Sequence, residues 1–253
     1  MKIGIIIQAR MGSTRLPGKS MMKICGKPLI WHVIERMKHS KNANVIIVAT
    51  TTSKKDNPIV NLCKKENVPC YRGNEEDVLD RYYCAAKEHN LDIIIRVTGD
   101  SPLNDPILVD EMIDIFKKGN YDYVANVKPP WMDGFDVEVF SFRILEESWK
   151  RADMKSQREH VTPYMRDSGK FRVFYRKNDP RFENLQCSVD RKEDLIFARR
   201  IYREMYKRGL DHKFTYRDVI QLLEEKPQLT DIVKGRLINE GYLKSLKEDK
   251  KVK

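Results

Sequence analysis

The segment Ile3–Pro28, IGIIIQARMGSTRLPGKSMMKICGKP, constrains this chain more than any other. It opens with Ile5-Ile6-Ile7, an apolar run that reads as a strand buried on both faces of a parallel sheet. At Gln8 the character changes. Arg10, Gly12, Ser13, Thr14, Arg15, Gly18 and Lys19 follow in quick succession, then Lys23 and Lys27. A strand that empties into glycines, hydroxyls and cations suits a polyphosphate: glycines let the backbone approach, loop N–H groups donate to oxygens, and Arg and Lys neutralise charge. A P-loop fits poorly: Lys19-Ser20 follow correctly, but Gly12 and Gly18 are one residue too far apart and Gly26-Lys27-Pro28 interrupts any long following helix. The plain alternative is a basic surface loop with turn residues, which leaves so many phosphate-suited side chains after a first strand unexplained.

The pattern downstream alternates. Pro28 opens a helix with Leu29, Ile30, Val33, Ile34 and Met37 on one face, and Val45–Thr50 is a second strand. Asn57-Pro58 starts another helix, followed by a short strand near Pro69–Tyr71, a helix from Val78 to about His89 and a strand Ile93–Val97. Pro106 opens a helix to about Lys118, Tyr121–Val127 is a strand, Phe135–Ser141 is an alternating strand with Asp136 and Glu138 on one face, and a helix covers Phe142–Arg151. Ser156-Gln157-Arg158-Glu159 reads as a capping box for a helix through Asp167, bent at Pro163. Strands Phe171–Lys177 and Leu185–Val189, a helix from about Lys192 to Lys207, and further helices near Tyr216–Glu225 and Thr230–Asn239 complete the series. The expected fold is α/β: a three-layer, mostly parallel sheet with helices on both faces and a helical C-terminal extension. The expected division is residues 1–210 as the nucleotide-binding and catalytic domain and 211–253 as the extension. In such sheets ligands bind beyond the strand carboxyl ends, where both the Arg10–Lys19 loop and Asp100 fall.

A net charge of +11 over 253 residues points to anionic ligands, either nucleic acid or a nucleotide carrying pyrophosphate. The cations are mixed with 37 acids along the whole chain and no nucleic-acid motif accompanies them, so nucleic acid is not the expected partner. Lys247–Lys253 reads as a solvated basic tail. The five cysteines are scattered without a C-x-x-C pair, which argues against zinc or a disulfide framework; Cys63 and Cys84 take helical core positions. No signal peptide or membrane-length apolar run is seen, so the expectation is a cytoplasmic protein with no membrane contact. Lys128–Gly134 is expected to lie over the site or at a subunit contact.

For chemistry the leading residues are Asp100 and Asp190. Each follows an apolar strand, and two carboxylates at one sheet edge suit Mg²⁺, whose remaining ligands are water and phosphate oxygens. Each also has a structural reading: Asp100 as a turn residue in Gly-Asp-Ser-Pro, and Asp190 as the cap of Asp190-Arg191-Lys192-Glu193.

Ala9-Arg10-Met11-Gly12-Ser13-Thr14-Arg15-Leu16-Pro17-Gly18-Lys19, with Gly26-Lys27-Pro28-Leu29-Ile30, resembles the amino-terminal signature of the CTP-dependent cytidylyltransferases, which include CMP-sialic acid and CMP-KDO synthetases. It is most similar to the branch named for the spore-coat polysaccharide biosynthesis protein SpsF. Val97–Leu103 and Ser188–Leu195 look like the family's two metal-binding aspartate segments, although many relatives carry Gln where Thr98 stands. Gly73–Arg81 also resembles that branch. The resemblance implies a nucleotide-diphospho-sugar transferase-like fold and a transfer of CMP from CTP to a sugar acid or related anionic acceptor. It implies that Arg10, Ser13 and Lys19 hold the phosphates, with Ala9 near the base and Gly12, Arg15, Gly73, Asn74 and Thr98 completing the nucleotide site. Arg10, Lys19 and Asp100 would be catalytic, Asp100 and Asp190 would hold Mg²⁺, and a homodimer is expected. Asp136, Glu138, Arg158 and His160 lie in the region the family uses for the sugar. The competing enzyme reading is a glycosyltransferase of similar sheet architecture, but its usual Asp-x-Asp occurs nowhere in the chain.

Overall fold

The computed structural model describes residues 1–128 and 131–252. The sequence alternation produces a seven-stranded sheet. In chain order the strands are β1 (Ile3–Gln8), β4 (Val45–Thr51), β5 (Cys70–Gly73), β6 (Ile93–Thr98), β7 (Tyr123–Ala125), β8 (Glu138–Ser141) and β9 (Val173–Tyr175). A separate antiparallel pair, β2 (Lys23–Ile24) with β3 (Lys27–Pro28), follows the basic loop. The sheet order is β5-β4-β1-β6-β8-β7-β9, parallel except that β8 runs against both β6 and β7. β1 lies inside the sheet, third in that order, paired with β4 on one side and β6 on the other.

Alternation along β1 builds the layers. Ile5 and Ile7 point into one core with α1 (Leu29–Met37), α2 (Asn57–Lys65), α4 (Pro106–Lys118), α8 (Lys192–Lys207) and α9 (Tyr216–Glu225). Ile6 points into the other with α3 (Val78–Glu88), α5 (Phe142–Arg151) and α7 (Pro163–Asp167). All three isoleucines are fully buried, which stabilises the centre by roughly 1.5–3 kcal/mol per side chain. The last two helices are α6 (Lys155–His160), between α5 and α7, and α10 (Glu240–Lys247). Arg36 binds residues past 210 to this body: its buried guanidinium donates to the carbonyls of Leu103, Asn104, His212 and Phe214 and stacks on the Phe214 ring.

Several expected elements differ. The helix expected through Asp167 breaks at Val161, whose φ is +71°, and Pro163 starts α7 instead of bending one helix. Ser156 lies inside α6 rather than capping it, and its hydroxyl donates to Asp249. Leu185–Val189 is no strand. Its backbone bonds go to loop residues: Asp133 N–H to Leu185 O, Cys187 N–H to Asp133 O, and Val189 N–H to Asp100 O. β8 begins at Glu138, because the Val137 N–H donates to the Asn126 side chain instead of a ladder partner. β7 and β9 are likewise shorter than the runs Tyr121–Val127 and Phe171–Lys177. The expected helix Thr230–Asn239 is replaced by a 3₁₀ segment, Pro227–Val233, before α10. The C-terminal tail is docked: Lys155 N–H donates to Lys250 O and Val252 N–H to Asp153 O. Of the 128–134 loop, Pro129 and Pro130 lie outside the described residues, as does Lys253 in the tail. Trp131 and Met132 are buried against the core.

Candidate active site

The basic loop leaves β1 at the sheet's carboxyl edge and is pinned by backbone contacts. Met11 N–H donates to buried Asp56 at 2.7 Å, and the Ser20 hydroxyl donates to Arg10 O at 3.1 Å. Gly18 closes the loop with its N–H on Met11 O, at a φ of +74° that favours glycine. The next residue, Lys19, is thereby turned inward and is 8% exposed.

Lys19 is the centre of the site. Its ammonium donates to Asp100 Oδ2 at 2.7 Å, Asp190 Oδ1 at 2.9 Å and Val189 O at 2.7 Å. The other Asp190 oxygen lies 2.6 Å from the Arg15 guanidinium. Burial alone would lower the Lys19 pKa, but the charges of Asp100 and Asp190 outweigh it and hold the ammonium above the usual lysine value. Burial would raise Asp190, yet Lys19 and Arg15 hold its carboxyl below the usual range. The helix cap is supplied by others. Asp194 accepts from the Asp190 and Arg191 N–H groups, so the Asp190 carboxylate is not spent on capping.

The loop carrying Asp190 is set by Gly134. Its φ is +105°, and a Cβ there would lie 2.6 Å from the Ser188 nitrogen. Asp133 accepts from the Ser188 hydroxyl at 2.9 Å. Asp136 meets Asp133; burial and then that neighbouring charge push the Asp136 carboxyl well above the usual range.

These groups open on a cleft of about 380 Å³. Of the expected site residues, Ala9, Arg10, Ser13, Arg15, Lys19, Thr98, Asp100, His160 and Asp190 line it. Gly12, Gly73 and Asn74 do not line it. Gly12 lies against Glu75, Gly73 is packed under Tyr71 and Arg81, and Asn74 accepts from the Glu76 and Asp77 N–H groups. Three of the four expected acceptor residues are also away from the wall. Asp136 faces Asp133. Glu138 is buried with Arg96, Tyr123 and Thr162 around its carboxylate, where Arg96 and Arg166 outweigh burial and keep it ionised. Arg158 is consumed by Asp77, its Nε 2.9 Å from Oδ2, and by Trp149 O.

Sequence reading missed Gln8, Lys155, Glu159, Lys244 and Ser245 on the wall, and Arg81 joins them from the Gly73–Arg81 segment. Arg81 ends the segment whose resemblance suggests contact with the cytosine or the dimer partner, and α10 follows a stretch without motif. Gln8 Oε1 and Arg81 Nε are buried with no hydrogen-bond partner among the described residues. Both residues line the cleft, but these two atoms are sealed from it.

The two carboxylates that converge on Lys19 form an all-oxygen donor pair, and the ammonium stands where a hard cation would sit. Among the described residues no cluster of three or more His, Cys, Asp or Glu side chains is disposed to hold a metal alone. No described helix is long and apolar enough to cross a membrane.

A family model described as cytidylyltransferase matches residues 4–210. The chain belongs to the cytidylyltransferase family. It is therefore a nucleotidyltransferase enzyme with that family's mostly parallel sheet. This cytidylyltransferase is 40% identical over 236 residues to an uncharacterized protein of Methanocaldococcus jannaschii, covering 92% of this chain and 94% of that one. It is 32% identical to the spore coat polysaccharide biosynthesis protein SpsF of Bacillus subtilis, over 88% of this chain and 94% of SpsF. A solved cytidylyltransferase from Leptospira borgpetersenii superposes with a TM-score of 0.85 at 32% identity, covering 95% of this chain and all of that one. A CMP:2-keto-3-deoxy-manno-octonic acid synthetase solved with CTP shares the fold, with a TM-score of 0.62 at 20% identity over 81% of this chain and 99% of that one.

Proposed function

We propose that this cytidylyltransferase moves CMP from CTP to a hydroxyl of an anionic, sugar-type acceptor, releases pyrophosphate, and so makes a precursor for a surface polysaccharide or other glycan. The observation that carries the reading is the Lys19 ammonium gripped by Asp100 and Asp190 at the strand carboxyl ends, with Arg10, Ser13 and Arg15 on the same wall. Cations so placed offset charge on a triphosphate and its leaving group, and such transfers depend mainly on positioning and electrostatics. Gln8 and Arg81, polar residues on the same cleft wall, would serve the nucleoside. Asp100 and Asp190 would hold Mg²⁺ once Lys19 turns to the phosphates. The ion, when bound, supplies neutralisation of phosphate oxygens. The acceptor class is supported by the names of relatives: SpsF acts in spore coat polysaccharide biosynthesis, and another relative, 34% identical over 58% of this chain and 56% of its own length, is a 3-deoxy-manno-octulosonate cytidylyltransferase of Hydrogenovibrio crunogenus.

The test is a pyrophosphate-release screen of CTP, ATP, GTP and UTP against sugar acids and sugar phosphates, with Mg²⁺. Release from CTP with one acceptor class is expected. Consumption of a UDP-sugar without release from CTP would favour a glycosyltransferase and overturn the reading. The same reading includes a homodimer, which sedimentation at micromolar concentration checks.

A further inference from the structure

We propose that Glu159 accepts the proton of the attacking acceptor hydroxyl, an inference that rests on the function proposed above. Four carboxylates line the cleft: Asp100, Glu159, Asp190 and Glu248. Asp100 and Asp190 hold Lys19, and Glu248 lies 3.8 Å from Lys244. Glu159 alone, among the described residues, has no lysine or arginine at ion-pair distance. It is an anion on the wall that the triphosphate-binding cations do not claim.

Glu159 is also held in one orientation. The Ser245 hydroxyl, from α10, donates to Glu159 Oε2 at 2.5 Å. Having given its proton, that hydroxyl accepts from His160 Nε2 at 3.1 Å, which fixes the protonated nitrogen of the ring. Burial pushes the His160 pKa down to about 4, so the ring is neutral at physiological pH, and Tyr242 packs edge-on against it. Glu159 Oε1 has no protein partner among the described residues. A carboxylate on the cleft wall with one oxygen anchored and the other unpartnered has the form of a general base with its orienting group.

The backbone supports a demand at this place. Val161 is buried and β-branched, yet its φ is +71° and ψ −56°, with Thr162 N–H donating to His160 O at 2.8 Å. This is the γ-turn of the rare, strained hand, and strain of this kind collects at working sites. The anchor Ser245 lies beyond residue 210, outside the part of the chain that the family model matches.

In the step, the acceptor O–H bond breaks and its proton passes to Glu159 Oε1. The freed electron pair on oxygen forms the bond to the α-phosphorus. The bond from that phosphorus to the bridging oxygen breaks, and pyrophosphate leaves with the electron pair, its charge offset by Lys19 and Arg15.

Steady-state kinetics with the acceptor found in the pyrophosphate screen test the proposal. Glu159→Gln keeps an oxygen for Ser245 but removes the base. It should lower kcat by about 10²–10⁴-fold, leave the KM for CTP unchanged and abolish the acid limb of the kcat pH profile. Added formate should restore part of the rate in Glu159→Ala, which a structural role would not do. Full kcat in Glu159→Gln overturns this inference alone. So does a joint loss of CTP binding and turnover without formate rescue. Absence of pyrophosphate release by the unsubstituted protein overturns the proposed function and this inference with it.

Discussion

Replacing Lys19 with methionine keeps the volume and removes the charge. Each Lys19–carboxylate contact, near 2.8 Å, is worth about 6 kcal/mol of gross attraction at an effective dielectric of 20, and most of that is spent on desolvating a lysine this buried. The variant instead exposes the cost of what remains: two convergent carboxylates with only Arg15 beside them. Removing one partner of a buried pair costs about 3–5 kcal/mol. Asp100 and Asp190 side chains retain 30% and 24% exposure, so water screens part of this and the expected loss is about 2–3 kcal/mol. At about 2–4 °C per kcal/mol for a chain of this size, the melting temperature should fall by roughly 5–10 °C. Titrating Mg²⁺ or Mn²⁺ in calorimetry should restore stability to the variant, by about 2.7 kcal/mol when the ion is at 100 times its Kd. The unsubstituted protein should gain less, because its ammonium already occupies the position. Turnover should fall by orders of magnitude with the near-ultraviolet circular dichroism unchanged. A melting temperature equal to that of the unsubstituted protein, or near-normal turnover, would refute the reasoning.

Arg81→Met removes a buried cation from the cleft wall and should raise the KM for CTP about tenfold, the value of one hydrogen bond to a charged group; an unchanged KM counts against a nucleoside contact there. Gly134→Ala places a methyl 2.6 Å from the Ser188 nitrogen at an unfavourable φ, so it should destabilise by about 1–3 kcal/mol and also weaken turnover through Asp190, read by urea unfolding beside kinetics. Burial chiefly lowers the His32 pKa to about 4 from 6.5, so the fold holds the neutral ring. The associated stability is complete above pH 6.5 and is lost as pH falls toward 4, on the order of 3 kcal/mol in all. The pH dependence of unfolding should flatten across that window in His32→Asn, and an unaltered slope speaks against it.

The central sheet was legible because its signals are local. Ile5-Ile6-Ile7 and Ile93–Val97 are apolar runs too short for helices, bounded by glycine and polar punctuation. The place of Asp100 was also within reach, because it follows the apolar run of β6, whereas Asp190 reaches Lys19 from Leu185–Val189, which is no strand. The acceptor wall was not. Glu138 and Arg158 have the chemistry of ligands, but their partners Arg96 and Asp77 are 42 and 81 residues away, and only the folded chain shows that they are already used. Ser156 met the pattern of a cap although the helix had begun one residue earlier. Lys244 and Ser245 lie between the helix expected near Thr230–Asn239 and the basic tail Lys247–Lys253, and nothing local announces that the chain there returns to the first loop.

That return has a consequence for biosynthesis. Glu240 reaches back to Arg15 at 3.8 Å and to Arg191 at 3.0 Å, and Ser245 reaches Glu159. Chains fold from the amino terminus as they emerge during translation. The β1–β6 pairing and the Lys19 loop are available early, but the cleft has one side missing until α10 has cleared the ribosome. A nascent chain stalled short of Glu240 would carry the cationic loop with no closing wall, so catalytic competence arrives late in synthesis.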